Sequence, residues 1–312
     1  VGAPLRITSR QVLVDHARAA EGDGYALATV PDHASVALAP LIAATVVAEA
    51  TSRLRVGTFL LANDLRHPAM LAKELATLDL LSGGRLEAGI GAGWMASDYQ
   101  AIGTPMARPA VRIARLGEAI DICRMAWSAG RIDHAGAHYA VEQASCSPLP
   151  AQPGGPPIVV AGGMRQILRL AAEKADTVSI SPGSIGGSGQ ESADDAALLA
   201  ERVGWVREAS VSRTEVPELH VLLSGVAVVD DRAAGPARCQ ELMGSALSQI
   251  GLDPPSVDPA RVLTSPFYAV GSVDSICDSL RGLRDTHGIS CFSVMEPFRR
   301  EFAPVVDRLA GE

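Results

Sequence analysis

Lysine is nearly missing from this chain: Lys73 and Lys174 are the two lysines among 27 basic residues. With 35 acidic residues the formal charge is -8, which argues against general attraction to a phosphate backbone or an anionic membrane surface. No nucleic-acid partner and no membrane partner is therefore expected. Cysteine is scarce and unpatterned. Cys123, Cys146, Cys239, Cys277 and Cys291 are odd in number, widely spaced and free of any Cys-x-x-Cys pair, which excludes a disulfide framework and a zinc site as readings. They read as reduced packing residues of a cytoplasmic protein, with no metal expected. Long hydrophobic runs are also lacking: 47% of residues are hydrophobic, yet the apolar stretch from Val36 to Ala48 is interrupted by Pro40 and Thr45 and falls short of a membrane span. The opening residues, Val1 to Arg6, hold no apolar core of signal-peptide length. Aromatic residues make up only 4%, so few rings are on hand to build a substrate pocket.

What the sequence has in abundance is alternation. Strand-like and helix-like segments take turns along nearly the whole 312 residues, the pattern of a parallel sheet with crossover helices. Ser9 is placed to cap a helix to Glu21, Tyr25 to Val30 reads as a strand, and Pro40 opens a helix to Ser52. Leu54 to Leu61 is an apolar strand, Ala69 to Leu81 a helix, Arg85 to Ile90 a strand and Val111 to Ala129 a helix. Arg131 to Gln143 alternates around Gly136 like a small hairpin, and Ser147 to Pro157 is rich in proline. The alternation resumes with strands at Ile158 to Ala161 and Thr177 to Ser181. A strand over Glu218 to Val229 and another at Ile289 to Met295 follow, with helices between. This predicts a single α/β domain, a (β/α)8 TIM barrel, with insertions near 131–157 and 182–192. A typical barrel needs about 250 residues, and the insertions take up the surplus. The Gly- and Ser-rich segment Pro182 to Ser192 is either a lid or a passive connector.

In such a barrel the chemistry sits on the loops that follow the strands. Pro31-Asp32-His33 places a carboxyl and an imidazole at one strand end, where they polarise a substrate or donate a proton, or else form a helix cap beside a surface histidine. Asn63 and Asp64 emerge from a buried strand, with turn and capping chemistry as the alternative. Gly89, Gly91 and Gly93 recur at alternate positions before Trp94, with Asp98 and Tyr99 just beyond. Such glycines let a ligand or another backbone come close, and Trp94 and Tyr99 are the rings expected to line a substrate pocket. The run is not a dinucleotide fingerprint, because the third glycine has the wrong spacing. Ala161-Gly162-Gly163-Met164 precedes a helix, where free N–H groups form a phosphate cradle or a tight turn. There is no Gly-x-Ser-x-Gly elbow and no His-Glu-x-x-His helix, so hydrolase and metalloprotease readings have no support.

Together these residues resemble a known family. Leu71 to Trp94, with Lys73, Leu78-Asp79, Leu81-Ser82-Gly83-Gly84-Arg85 and Gly89-Ile90-Gly91-Ala92-Gly93-Trp94, is similar to the central signature of the luciferase-like flavin and deazaflavin oxidoreductases. The Gly136-x-His138-Tyr139 hairpin, the Ala161-Gly162-Gly163 loop and Val270-Gly271-Ser272-Val273-Asp274 extend the resemblance over essentially the full chain. The resemblance implies a barrel that binds coenzyme F420, with FMN as the alternative. Pro31-Asp32-His33 and Asn63 to Pro68 point to the F420 branch. It further implies a non-prolyl cis peptide near Phe59-Leu60 behind the cofactor ring and Asn63 at the ring's edge. Ala92 and Gly93 fall beside the cofactor chain, and Ala161, Gly162, Gly163 and Met164 at its phosphate.

One departure bears on the reaction. Some sugar dehydrogenases of this family carry a glutamate where this chain has Trp94, so an apolar pocket and reduction of an activated C=N or C=C bond are expected instead, with the proton from His33, Asp32 or water. An FMN-dependent monooxygenase and a non-catalytic cofactor-binding protein are the alternatives. A small-molecule substrate and, as the resemblance implies, a homodimer complete the expectations, with the Leu41 to Ala50 segment read either as the dimer interface or as a helix buried within one chain.

Overall fold

The computed structural model of the chain describes residues 1–4, 7–34, 38–182, 194–248 and 258–311. Helix α1 (Arg10–Gly22) begins as expected: Ser9 accepts a hydrogen bond from the Val12 N–H at 3.4 Å, satisfying one of the donors that a helix start leaves open. β1 (Leu27–Val30), α2 (Pro40–Ala50) and β2 (Arg55–Thr58) follow. The apolar run predicted as one strand over 54–61 is interrupted. A cis peptide bond joins Phe59 to Leu60, and the chain resumes as the two-residue β3 (Leu61–Ala62). Next come α3 (Pro68–Leu81), β4 (Leu86–Gly91), the short α4 (Ala96–Ala101) and α5 (Pro109–Ala129). Gly130, at φ 63°, ends α5 in the left-handed conformation that glycine adopts without a Cβ clash.

β5 (Arg131–Ala135) and β6 (Ala140–Ser145) form the predicted antiparallel hairpin. The alternation then resumes with β7 (Ile158–Gly162), α6 (Arg165–Lys174), β8 (Thr177–Ile180) and α7 (Asp195–Ser210). The segment expected as a lid or connector, apart from Pro182, lies outside the described residues. The strand predicted over Glu218 to Val229 divides at Ser224 into β9 (Glu218–Leu223) and β10 (Gly225–Val228). α8 (Gly235–Ser248), α9 (Pro259–Thr264), β11 (Tyr268–Gly271), α10 (Val273–His287), β12 (Ile289–Val294) and α11 (Arg299–Leu309) complete the chain.

The main sheet runs β1-β2-β4-β7-β8-β9-β12, with β3 paired to β4, and every pairing in it is parallel. Its two edges meet at the N-terminal residues. The Gly2 N–H donates to the Val294 carbonyl at 3.0 Å, and the Ala3 N–H to the Thr29 carbonyl at 2.7 Å, so the sheet curls into a TIM-barrel-like fold. β10 turns away and pairs with β11. Leu71, Leu75, Leu116 and Ile120 from the helices and Val56 and Ile90 from the strands lie in one buried core, whose burial drives the assembly. Because the strands are parallel, the residues after β1, β3, β4, β7 and β8 open onto the same end of the barrel. Among the described residues no helix is long and apolar enough to cross a membrane.

Candidate active site at the carboxyl ends of the strands

After β1 the chain presents Asp32 and His33, and the fold gives them different partners. Both oxygens of Asp32 are occupied: Arg66 donates to Oδ2 at 2.5 Å and to Oδ1 at 3.0 Å, and the Ala62 N–H adds a 3.0 Å bond to Oδ2. Asp32 thereby ties the β1 loop to the segment after β3. His33 instead reaches α4, where its Nδ1 lies 2.9 Å from Asp98 Oδ2, while Asp98 Oδ1 accepts the Ala34 N–H at 2.9 Å. A carboxylate accepts only, so this pairing puts the ring proton on Nδ1 and leaves Nε2 for other work. The Trp94 ring stands edge-on to His33, with centroids 5.6 Å apart at 88°, and remains 44% exposed. Asp98 was legible in the sequence only as a residue near the glycine run; its link to His33 arises from the packing of α4.

Asn63, directly after β3, is fully buried. Its Nδ2 donates to the Tyr139 hydroxyl at 3.0 Å, and its Oδ1 has no hydrogen-bond partner among the described residues. A buried acceptor left open in this way carries a desolvation cost that a donor from a ligand would relieve. Tyr139 is delivered by the β5–β6 hairpin, whose turn is held by one carboxylate on α5. Glu118 accepts the N–H groups of Ala137 at 2.9 Å, His138 at 3.1 Å and Tyr139 at 2.9 Å, with His134 Nε2 3.4 Å away. Desolvation pulls the Glu118 carboxyl upward, but these donors outweigh it and its pKa is lowered. The His67 ring, at the start of α3, stands edge-on to Tyr139 at 5.8 Å.

The glycine run of β4 splits in purpose. A Cβ on Gly89 would overlap the Thr58 carbonyl oxygen, and one on Gly91 would come 3.2 Å from Leu60 Cδ1. These two glycines admit the neighbouring strand and the Leu60 side chain rather than a ligand. Gly93 differs, with φ at 75° and the Tyr99 hydroxyl where its Cβ would stand. This corrects the expectation for Tyr99. At 1% exposure, with its hydroxyl 3.4 Å from the Ala92 carbonyl, it supports the Ala92-Gly93 turn from behind and presents no face to a substrate. Arg112 of α5 holds the same turn, donating to the Gly93 carbonyl and, at 3.3 Å, to that of Ala92. Sequence reasoning missed Arg112, which carries no local signal in the first turn of a helix.

Phe59 faces the barrel interior, its ring 5.5 Å from that of His220. His220 is bonded at both nitrogens, to Ser179 Oγ at 2.7 Å and Ser293 Oγ at 2.8 Å, and burial lowers its pKa to about 3. At the end of β7, Gly162 is required by Ile167, which a Cβ would overlap. Gly163 lies under Ser181 and Arg202: a Cβ there would come 3.0 Å from the Ser181 carbonyl oxygen and 3.2 Å from Arg202 Nη1. Met164 is the N-terminal residue flanking α6, and no side chain caps that end. Ala161 is the last-but-one residue of β7.

Other parts of the signature are structural. Asp79 is fully buried and accepts from the Gln152 N–H at 2.8 Å and side chain at 2.7 Å. Arg85 bonds the carbonyls of Ser82 at 2.8 Å, Leu54 at 2.7 Å and Ala48 at 2.8 Å. A groove of about 440 Å³ on the flank between α1 and α2, lined by Leu13, Leu38, Ile42 and Val46 among others, includes none of the candidate residues.

The profile of the luciferase-like monooxygenase family matches residues 4–242, and the chain belongs to that family. An uncharacterized protein of Mycobacterium tuberculosis is 31% identical over 229 residues, covering 66% of this chain and 74% of that protein. The F420-dependent glucose-6-phosphate dehydrogenase of the same organism is 34% identical over 174 residues, 53% of this chain and 51% of the dehydrogenase. Among solved structures, the coenzyme F420-dependent tetrahydromethanopterin reductase of Methanopyrus kandleri superposes with a TM-score of 0.75 at 17% identity, covering 98% of this chain and 96% of that one. That likeness establishes the fold.

Proposed function

We propose that the protein is an F420-dependent oxidoreductase that reduces an activated C=N or C=C bond of a small metabolite. The observation that carries this reading is the paired arrangement after β1 and β3: an imidazole oriented by Asp98 beside the half-exposed Trp94, and the buried Asn63 whose Oδ1 awaits a donor. The residues suit a deazaflavin: Asn63 would accept from a ring N–H, the Ala92-Gly93 turn would flank the chain, and Ala161 to Met164 would meet the phosphate. The relatives that carry F420 in their names add to this reading. Coenzyme F420, when bound and reduced, supplies the hydride.

The chain supplies the proton and the setting. In its imidazolium form His33 would give the Nε2 proton to the substrate atom that becomes electron-rich, while its Nδ1–H stays on Asp98, which holds the ring in place. Asp32, with both oxygens bonded by Arg66 and Ala62, serves as a positioning residue that fixes the His33 loop. Trp94 offers an apolar wall that excludes water and suits an unsaturated substrate better than a sugar. Phe59 and Leu60 back the ring, as the resemblance to the family implies. Titration of the purified protein with F420 and with FMN tests the reading, followed by oxidation of reduced F420 with imines and enones. F420 should be held in preference and consumed; tight FMN binding with no affinity for F420 would favour the second reading, the monooxygenase chemistry for which the family is named.

A further inference from the structure

We propose that Arg202 of α7 completes a phosphate-binding site with the Gly162-Gly163 turn and the N-terminus of α6, an inference that rests on the cofactor reading above. Arg202 is 5% exposed. Its Nη1 donates to the Ser181 carbonyl and lies 3.2 Å from where a Cβ of Gly163 would stand, so the guanidinium is pressed against the turn. Among the described residues its Nε has no hydrogen-bond partner, and no carboxylate of those residues comes within ion-pair distance of it. Asp195, on the same helix, is taken by Arg261 through bonds of 2.9 and 3.1 Å.

A guanidinium cannot shed its charge at any ordinary pH, so burying one without an anion is costly. Beside it, α6 begins without a side-chain cap, which leaves first-turn N–H groups and the positive end of the helix facing the same turn. A tetrahedral oxyanion answers both, because it offers acceptors to the backbone and to the guanidinium together. In a chain of net charge -8, the attraction for such a group has to be local. A single buried arginine supplies it.

The test compares two ligands by fluorescence titration: F420, and the deazaflavin chromophore that lacks the phosphate. Arg202→Gln keeps a donor for the Ser181 carbonyl and removes the charge. It should raise the Kd for F420 about tenfold and leave the phosphate-free ligand unchanged, whereas R202K should restore most of the F420 affinity. Equal changes for both ligands, or none for F420, overturn the proposal, since an arginine that only braces the turn would act on both alike. Should R202Q fail to fold, inorganic phosphate competing against wild-type protein gives the same answer: it should weaken F420 and spare the phosphate-free ligand, and equal effects overturn the proposal. A wild-type protein that binds neither deazaflavin removes the cofactor reading and the proposal with it. If it binds FMN and riboflavin instead, the cofactor reading alone fails and the same ratio between that pair decides on Arg202.

Discussion

At the barrel mouth one imidazole has its Nδ1 side committed to Asp98 and its ring edge to Trp94. If His33 delivers the proton, H33A should lower kcat about a hundredfold and leave the Kd for F420 within experimental error. D98N should lower kcat as well, because an amide presents a donor as readily as an acceptor and no longer dictates which ring nitrogen is protonated. Steady-state rates with unchanged cofactor titrations check both; an unaltered kcat in H33A returns the proton to solvent. The dipeptide Asp32-His33 was legible as chemistry because two titratable groups followed a strand. Its division of labour was not, since Arg66 and Asp98 lie 34 and 65 residues away from their partners. Tyr99 shows the same limit from the other side. A ring near a glycine is visible in sequence, but which face of Gly93 it occupies is decided by how α4 packs.

The β5–β6 hairpin is an element whose conformation depends on a carboxylate outside it. Its alternation was readable, as was the helix that precedes it, yet nothing in residues 131–145 marks Glu118 as their anchor. E118Q should destabilise the protein by about 2 kcal/mol, the range for losing charge-assisted bonds to backbone N–H groups, measured by urea denaturation. It should also loosen the cofactor through Tyr139 and Asn63; a variant that loses neither stability nor affinity would detach the hairpin from the site. Elsewhere the boundaries were harder to read. The only local mark of the division in Glu218 to Val229 is the Ser224-Gly225 pair; the runs on either side are both largely buried and look alike whichever sheet receives them. The four-residue β11 lies just after Pro266 and was missed for its brevity.

Across the whole molecule, two imidazoles are buried in the neutral form. Desolvation lowers the pKa of His220 to about 3 and, with Arg299 adding to it, that of His16 to about 4. In the unfolded chain both titrate near the ordinary value of 6.5, so below that pH the unfolded state binds more protons. Their contribution is whole above pH 6.5 and is lost as the pH falls toward 4 and 3, at about 1.4 kcal/mol per pH unit for each. Unfolding free energies between pH 6.5 and 5 should show this slope, and H220Q should remove about half of it; an unchanged slope would place the acid sensitivity elsewhere. The barrel as a whole was legible, because alternation over hundreds of residues averages out local errors. The join between β2 and β4 has a practical side. Thr58 Oγ1 donates to the Gly89 carbonyl at 2.8 Å and accepts the Gly89 N–H at 3.1 Å, with no room between them for a methyl group. The two strands are therefore one cassette for recombination: a chimera that borrows the glycine loop of a relative must import residues 57–62 along with it.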